Sequence, residues 1–264
     1  MSLTLASLHV HPIKSLGGHA VDTAELTDRG LAHDRRWMLV DPAGQFVSQR
    51  ELAAMACLQV GPVTGGFRIT DRRDATWLEI PETLDVGERQ QVAVWSDRVS
   101  VLVADAPTNN WFSHKLGRPL RLVHMPDESR RRTDDRYAKG LTSLSDGFPY
   151  LIASQASLDD LNRRLEQPVP MDRFRPNIVI AGGDAFQEDA WKAIRIGGAD
   201  FQLVKPCARC VIVTTDQRTG ERSKEPLRTL SGYRNKGGKV LFAMNAMGPA
   251  SGALRVNDPV EVVR

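Results

Sequence analysis

The sequence predicts a mainly β chain with some α, and three observations carry that reading. Short apolar runs recur along the whole chain between Gly, Pro, Asp and Arg turns, and only two segments carry helix-start and helix-stop signals. The length, 264 residues, suits two domains of ordinary size. In order, residues 3–10 are the first strand. Arg36-Trp37-Met38-Leu39-Val40, the turn Asp41-Pro42-Ala43-Gly44 and Gln45-Phe46-Val47-Ser48 read as a hairpin. Strands follow at 67–70, 76–80, 91–95 and 100–103, frequent enough for an antiparallel sheet or barrel. Asp105 is placed to cap a helix through Lys115, with Pro107 in its first turn and Gly117 at its end.

The basic run Arg130-Arg131-Arg132-Thr133-Asp134-Asp135-Arg136 is the most loop-like stretch, expected to be solvated, mobile and close to a domain junction. Ser157 with Asp160 resembles a capping box for a second helix, whose face is Leu158, Leu161 and Leu165 and which Pro168 ends. Strands then alternate with turns at 177–181, 193–196, 201–204, 210–214, 240–243 and 260–263. Trp37 and Trp191 are expected in the core.

Composition narrows the function. Apolar residues at 41% and charged residues at 25% are those of a globular chain rather than a disordered one. No apolar run approaches the ~18 residues of a membrane span, and the amino terminus lacks a basic region followed by a long apolar one. The expectation is a cytoplasmic protein without a membrane partner. Three cysteines exclude a disulfide scaffold and a self-contained four-cysteine iron–sulfur cluster. The net charge of +3 divides unevenly, with 12 basic and 14 acidic side chains over residues 1–120 and 23 against 18 over 121–264. That excess is too small to coat nucleic acid, and aromatics are only 6% of the chain, but it suits a pocket for an anionic ligand.

Cys207-Ala208-Arg209-Cys210 is the motif richest in chemistry. Zinc would need two further ligands, yet only Cys57 remains and no histidine follows His124. A thioredoxin-type pair takes its low thiol pKa from a helix amino terminus, whereas Cys210 runs into an apolar segment read as a strand. Simple burial at a strand end stays open as the plain alternative. Against it stand Lys205 and Arg209 beside the thiols, and Arg175 within Phe174-Arg175-Pro176-Asn177. Cations favour a thiolate, a thiolate is a soft donor for a transition metal, and a guanidinium holds phosphate or carboxylate through paired hydrogen bonds. The combination suits a metal carried by an anionic organic cofactor.

The run from Lys205 to Asp216, with Thr219-Gly220 and Lys224-Glu225-Pro226-Leu227-Arg228-Thr229-Leu230 after it, resembles the cysteine region of the MOSC domain family. Within that family it is most similar to the branch of the mitochondrial amidoxime-reducing component and its bacterial relatives. Phe174-Arg175-Pro176-Asn177-Ile178-Val179 resembles the family's central strand and Gly252-Ala253-Leu254-Arg255-Val256-Asn257-Asp258-Pro259-Val260 its ending. His11-Pro12-Ile13-Lys14-Ser15-Leu16-Gly17-Gly18 and Asp34-Arg35-Arg36-Trp37 resemble its amino-terminal barrel domain, so the likeness spans essentially the whole chain.

This resemblance implies an amino-terminal β-barrel-like domain over 1–120 and a MOSC β-barrel domain with a few helices over 121–264, the cofactor and metal lying between them. It implies a molybdenum cofactor (Mo-molybdopterin) whose metal is bound by Cys210, the catalytic residue. Lys14, Ser15, Arg35, Arg175, Asn177, Ala208 and Arg209 correspond to cofactor contacts, and Gly147 and Phe148 occupy a contact region where some relatives carry hydroxyl residues. Ala208 stands where some relatives have serine. Arg35 is preferred to Arg36, since neighbours on a strand point to opposite sides, and Cys207 is expected beside the metal rather than on it. The implied activity is reduction of N-hydroxylated compounds such as amidoximes or hydroxylamino purines, with electrons from a separate ferredoxin or flavoprotein reductase. The alternative is a cofactor carrier or sulfur-transfer domain without turnover. Pyridoxal phosphate would need a Schiff-base lysine, and no sequence feature selects one.

Overall fold

In a computed structural model that describes residues 2–263, seven strands close into one barrel. From Leu3–Val10 the hydrogen-bonded order runs through Ile178–Ala181, Tyr150–Ser154, Lys239–Met247, Ala199–Ala208, Ala193–Ile196 and Pro259–Val263, which pairs back with Leu3–Val10. Closure leaves no free sheet edge to attract another chain. Leu5, Leu8, Ile152, Ile178, Ile180, Ile194, Ile196 and Phe201 fill the interior. Strict alternation would put Leu5 and Leu8 on opposite faces, but the ladder shifts register between Leu5 and Ser7 and both join the core.

The rest of the first half builds smaller sheets. Trp37–Val40, Arg121–His124, Asp97–Val103 and Arg89–Val94 form one, and Leu58–Val63, Gly66–Asp71 and Trp77–Pro81 another. Trp37 and Leu39 enter one core with Phe112, while Met38 and Val40 enter a second. Burial on both faces explains that strand's unbroken apolar run. The helix Ala106–Leu116 begins and ends as its sequence predicts: Thr108 N–H donates to Asp105 Oδ1 at 3.0 Å, and Gly117 stops it at φ +69°. The mainly β fold with a few helices is therefore what the chain adopts.

The sheets do not divide at residue 120. Leu3–Val10 lies in the barrel of the second half, Thr23–Thr27 pairs with Ala253–Arg255, and Arg121–His124 pairs with Trp37–Val40. Leaving the barrel at Val10, the chain crosses to the first-half core, where Ile13 bridges Trp37. That crossing carries Lys14 and Ser15.

Local readings are corrected at four places. The turn at 41–44 forms, with Asp41 N–H donating to Gln45 O at 2.9 Å, but residues 45–48 contribute isolated bridges instead of a strand. The second helix is Gln155–Arg163, so Ser157 lies inside it; its hydroxyl donates to the buried Glu188 carboxylate at 2.7 Å and accepts from Phe186 N–H at 2.7 Å. Residues 211–214 form a 3₁₀ turn rather than a strand. Arg131 is not solvated: Arg131–Arg132 pairs with Leu141–Thr142, and period-two alternation buries Arg131 while Arg130 and Arg132 stay exposed.

Candidate cofactor cleft

Three loops and one strand end meet between the barrel and the first-half sheets. Lys14 and Ser15 arrive on the crossing segment, Arg35 on the loop before Trp37, Arg175 on the loop before Ile178–Ala181, and Cys207 to Cys210 at the end of Ala199–Ala208. Backbone bonds lock the first two loops together: Arg35 N–H donates to His11 O and Lys14 N–H to Trp37 O, both at 2.8 Å. The cleft they enclose is open to solvent, with a cavity volume of about 120 Å³.

Cations dominate it. Lys14 Nζ donates to Leu144 O at 2.8 Å and Asp146 Oδ1 at 2.6 Å, and burial lowers its pKa to about 8 against the pull of Asp146. Arg35 donates to Asp34 at 2.6 Å, Asn177 Oδ1 at 3.1 Å and Arg175 O at 3.0 Å. Arg175 is buried, and burial followed by the Arg35 charge lowers its pKa to about 9. Arg209 spans the thiol edge, donating to Cys207 Sγ at 3.0 Å and Phe174 O at 2.8 Å. Arg50 donates to Asp146 Oδ2 at 2.9 Å. Burial opposes the Arg50 charge, but Asp146 and the Cys210 sulfur outweigh it and raise its pKa. Desolvation likewise opposes ionisation of Asp146, and Lys14 and Arg50 hold its carboxyl well below the usual range.

Two further features distinguish this cluster. Arg175 Nη2 and Arg209 Nε are buried without a hydrogen-bond partner among the described residues, an expensive state that a bound anion would relieve. Ser15, Arg35 and Arg175 also hold left-handed backbone conformations, at φ +67°, +48° and +55°. Such non-glycine strain collects where surrounding structure fixes a functional geometry. For Ser15 the fixing group is the Gln49 amide, which donates to Ser15 O at 2.8 Å and pairs with Gln217 at 3.0 Å.

Residues 2–119 match the family described as the MOSC N-terminal beta barrel domain and residues 139–261 the MOSC domain. The chain is 34% identical to human mitochondrial amidoxime-reducing component 1, over 97% of this chain and 82% of that one. The chain belongs to the MOSC family. It is also 35% identical to the molybdenum cofactor sulfurase of rice, over 91% of this chain but only 32% of the sulfurase, so it spans about a third of that relative's length. Mouse mitochondrial amidoxime-reducing component 1 is 31% identical over 97% of this chain and 81% of its own.

In this MOSC chain, Lys14, Ser15, Arg35, Gly147, Phe148, Arg175, Asn177, Ala208, Arg209 and Cys210 all line the one cleft. Their situations differ. Asn177 is committed to the protein, accepting from Arg35 and Leu151 N–H and donating to His9 O, so it positions Arg35. Arg36 turns away to Met125 O and Asp127, although a loop with left-handed Arg35 separates the two arginines, not strand alternation. Gly147 has open space where a Cβ would stand, so a side chain would fit there. Cys57 is buried elsewhere, its thiol pKa pushed up by burial. Sequence reasoning missed Arg50, Asp146 and Gln49. Arg50 and Asp146 are 96 residues apart in sequence, and no local pattern joins them.

Proposed function

We propose that this cleft holds a molybdenum cofactor and that the protein reduces N-hydroxylated compounds with electrons from a separate donor protein. One observation carries the reading: a cysteine thiol at the lip of a cleft whose buried guanidinium atoms lack partners. Among the described residues no group of three His, Cys, Asp or Glu side chains is placed to hold a metal ion. The Cys210 sulfur, with Cys207 taken up by Arg209 beside it, fits a metal that brings its own anionic organic ligand. The names of the amidoxime-reducing relatives support the substrate class.

Cys210 would supply the protein's sulfur ligand, while Arg175, Arg209 and Lys14 would neutralise the anionic groups of the cofactor. Asn177 and Asp34 hold the Arg35 guanidinium in place for the same charge. When bound, the cofactor supplies the two-electron reduction that breaks the N–O bond, with protons taken up and water released. Lys14, with its pKa lowered to about 8, is protonated at neutral pH and holds a proton inside the cleft. The partnership with a ferredoxin or flavoprotein donor and a cytoplasmic setting belong to this proposal.

The 35% identity to a molybdenum cofactor sulfurase favours a second reading, a cofactor carrier or sulfur-transfer domain without turnover. The test is purification from a host that makes the cofactor, followed by molybdenum analysis and dithionite-driven reduction of benzamidoxime. Tightly held molybdenum with benzamidine formation is expected. Exchangeable cofactor and no benzamidine would replace the reductase by the carrier.

A further inference from the structure

Beside the cleft lies an annexe lined by neither Cys210 nor Lys14, Arg35, Arg175 or Arg209. It shares Asp146, Gly147 and Phe148 with the cleft and continues past Trp95 to Lys205 and Arg132. Its walls carry two features that folding alone does not account for.

The first is Trp95. It is the first residue of the two-residue turn joining Arg89–Val94 to Asp97–Val103, a position that favours Gly, Asn or Asp because the backbone must turn left-handed. A tryptophan there sits at φ +57° and yet leaves 48% of its surface exposed. A bulky side chain in that conformation is strained, and its burial against Phe46, ring centroids 4.9 Å apart, is partial. Arg50 stacks over the ring at 4.7 Å, and the indole N–H points to Asp146 Oδ1 at 3.4 Å. These contacts aim the ring at the cleft mouth.

The second is Lys205. Arg131 is paired with Asp97 and Arg136 with Asp134, but Lys205 and Arg132 have no ion-pair partner among the described residues. The Lys205 ammonium instead lies 4.0 Å from the centroid of the Tyr137 ring and 5.1 Å from that of Phe148. Ring faces hold a cation in place without neutralising it. Tyr137 is itself 48% exposed.

From an exposed, strained indole and an ammonium seated on two rings in the walls of one annexe, we infer that the annexe binds the substrate's body: a planar aromatic ring stacked at Trp95, bearing an anionic substituent paired with Lys205. The substrate class of the proposed reductase is thereby narrowed to aromatic N-hydroxylated acids, and this inference rests on that reading. Trp95 and Lys205 are specificity residues, since both line the annexe and neither lines the cleft around Cys210.

The experiment uses the full-length cofactor-loaded protein, with benzamidoxime and 4-carboxybenzamidoxime as probes. Binding is measured by calorimetry and turnover by dithionite-driven kcat/KM. The unaltered protein is expected to bind the carboxylated ring about tenfold more tightly, and Lys205→Gln to abolish that preference. Trp95→Gly removes the left-handed strain, so its melting temperature is expected to hold while binding of both probes weakens about fivefold. Equal affinity for the two probes, or a preference untouched by Lys205→Gln, overturns the annexe. If neither probe is reduced but the Lys205-dependent binding preference is present, the annexe stands and the reductase falls. If both are reduced without that preference, the reductase stands and the annexe falls.

Discussion

Arg131 and Arg175 are both buried arginines near the same cleft, and they are satisfied in opposite ways. Arg131 spends its guanidinium on the protein, donating to Asp97 at 2.7 Å, Ser143 O at 3.1 Å, Ser145 O at 2.5 Å and Asp146 O at 3.2 Å. Among the described residues no carboxylate pairs with Arg175, which leaves Nη2 without a partner and sits on left-handed backbone at φ +55°. Burial is shared, so burial does not separate a structural cation from one kept for a ligand. Unmet hydrogen-bonding capacity does. The sequence places Arg131 in a solvated loop, which its burial corrects, and reaches Arg175 through its cationic motif and its resemblance to a family contact.

The largest expected effect falls on the structural arginine. Arg131→Ala removes the partner of the half-exposed Asp97 and leaves three carbonyls without their donor, a loss of about 1–3 kcal/mol. Urea unfolding should show that loss, and a stability change below about 1 kcal/mol would break the contrast. Cys210→Ala should lower bound molybdenum ten- to about a hundredfold by elemental analysis, whereas Cys207→Ala should cost less than about twofold. Equal losses would mean the thiols act together. Arg175→Ala should reduce cofactor retention on gel filtration about tenfold with the melting temperature unchanged or raised, because a strained, uncompensated cation leaves the apo fold. A large fall in melting temperature would make Arg175 structural like Arg131.

The smallest effect is a pH dependence. Lys14 has a pKa of about 8 in the fold against 10.5 ordinarily, so between those values the unfolded chain holds a proton that the folded chain has released. Stability of the cofactor-free protein should therefore rise with pH across that window. Anion retention should move the opposite way, falling as Lys14 loses its charge above pH 8 and Arg175 above about 9. Circular dichroism melts and cofactor retention between pH 7 and 10 measure both signs. Retention that rises with pH would remove Lys14 and Arg175 from the anion site.

Elements with local causes were legible. Asp105 and Gly117 mark the ends of their helix because capping bonds form within four residues, and the strands at 3–10 and 193–196 need only their own apolar pattern. Reading Ser157 as a cap failed because its hydroxyl serves Glu188, 31 residues away. The residues brought into the cleft were named from motifs that resemble a family, since nothing in the spacing of Lys14, Arg35, Arg175 and Cys210 places them together. Arg50 and Asp146 belong to no such motif and were passed over.

The sequence by itself determined that this chain is mainly β, that its cysteines are too few for a scaffold, and that a thiol lies among cations. Those are properties of composition and of neighbours along the chain. Only the tertiary structure decided which cations are free. The first strand leaves its own half to complete the barrel, and its exit sets Lys14 against Asp146, 132 residues away. Whether a guanidinium meets a carbonyl or an open cleft depends on such long-range contacts, and a buried charge is spent or available by that difference alone.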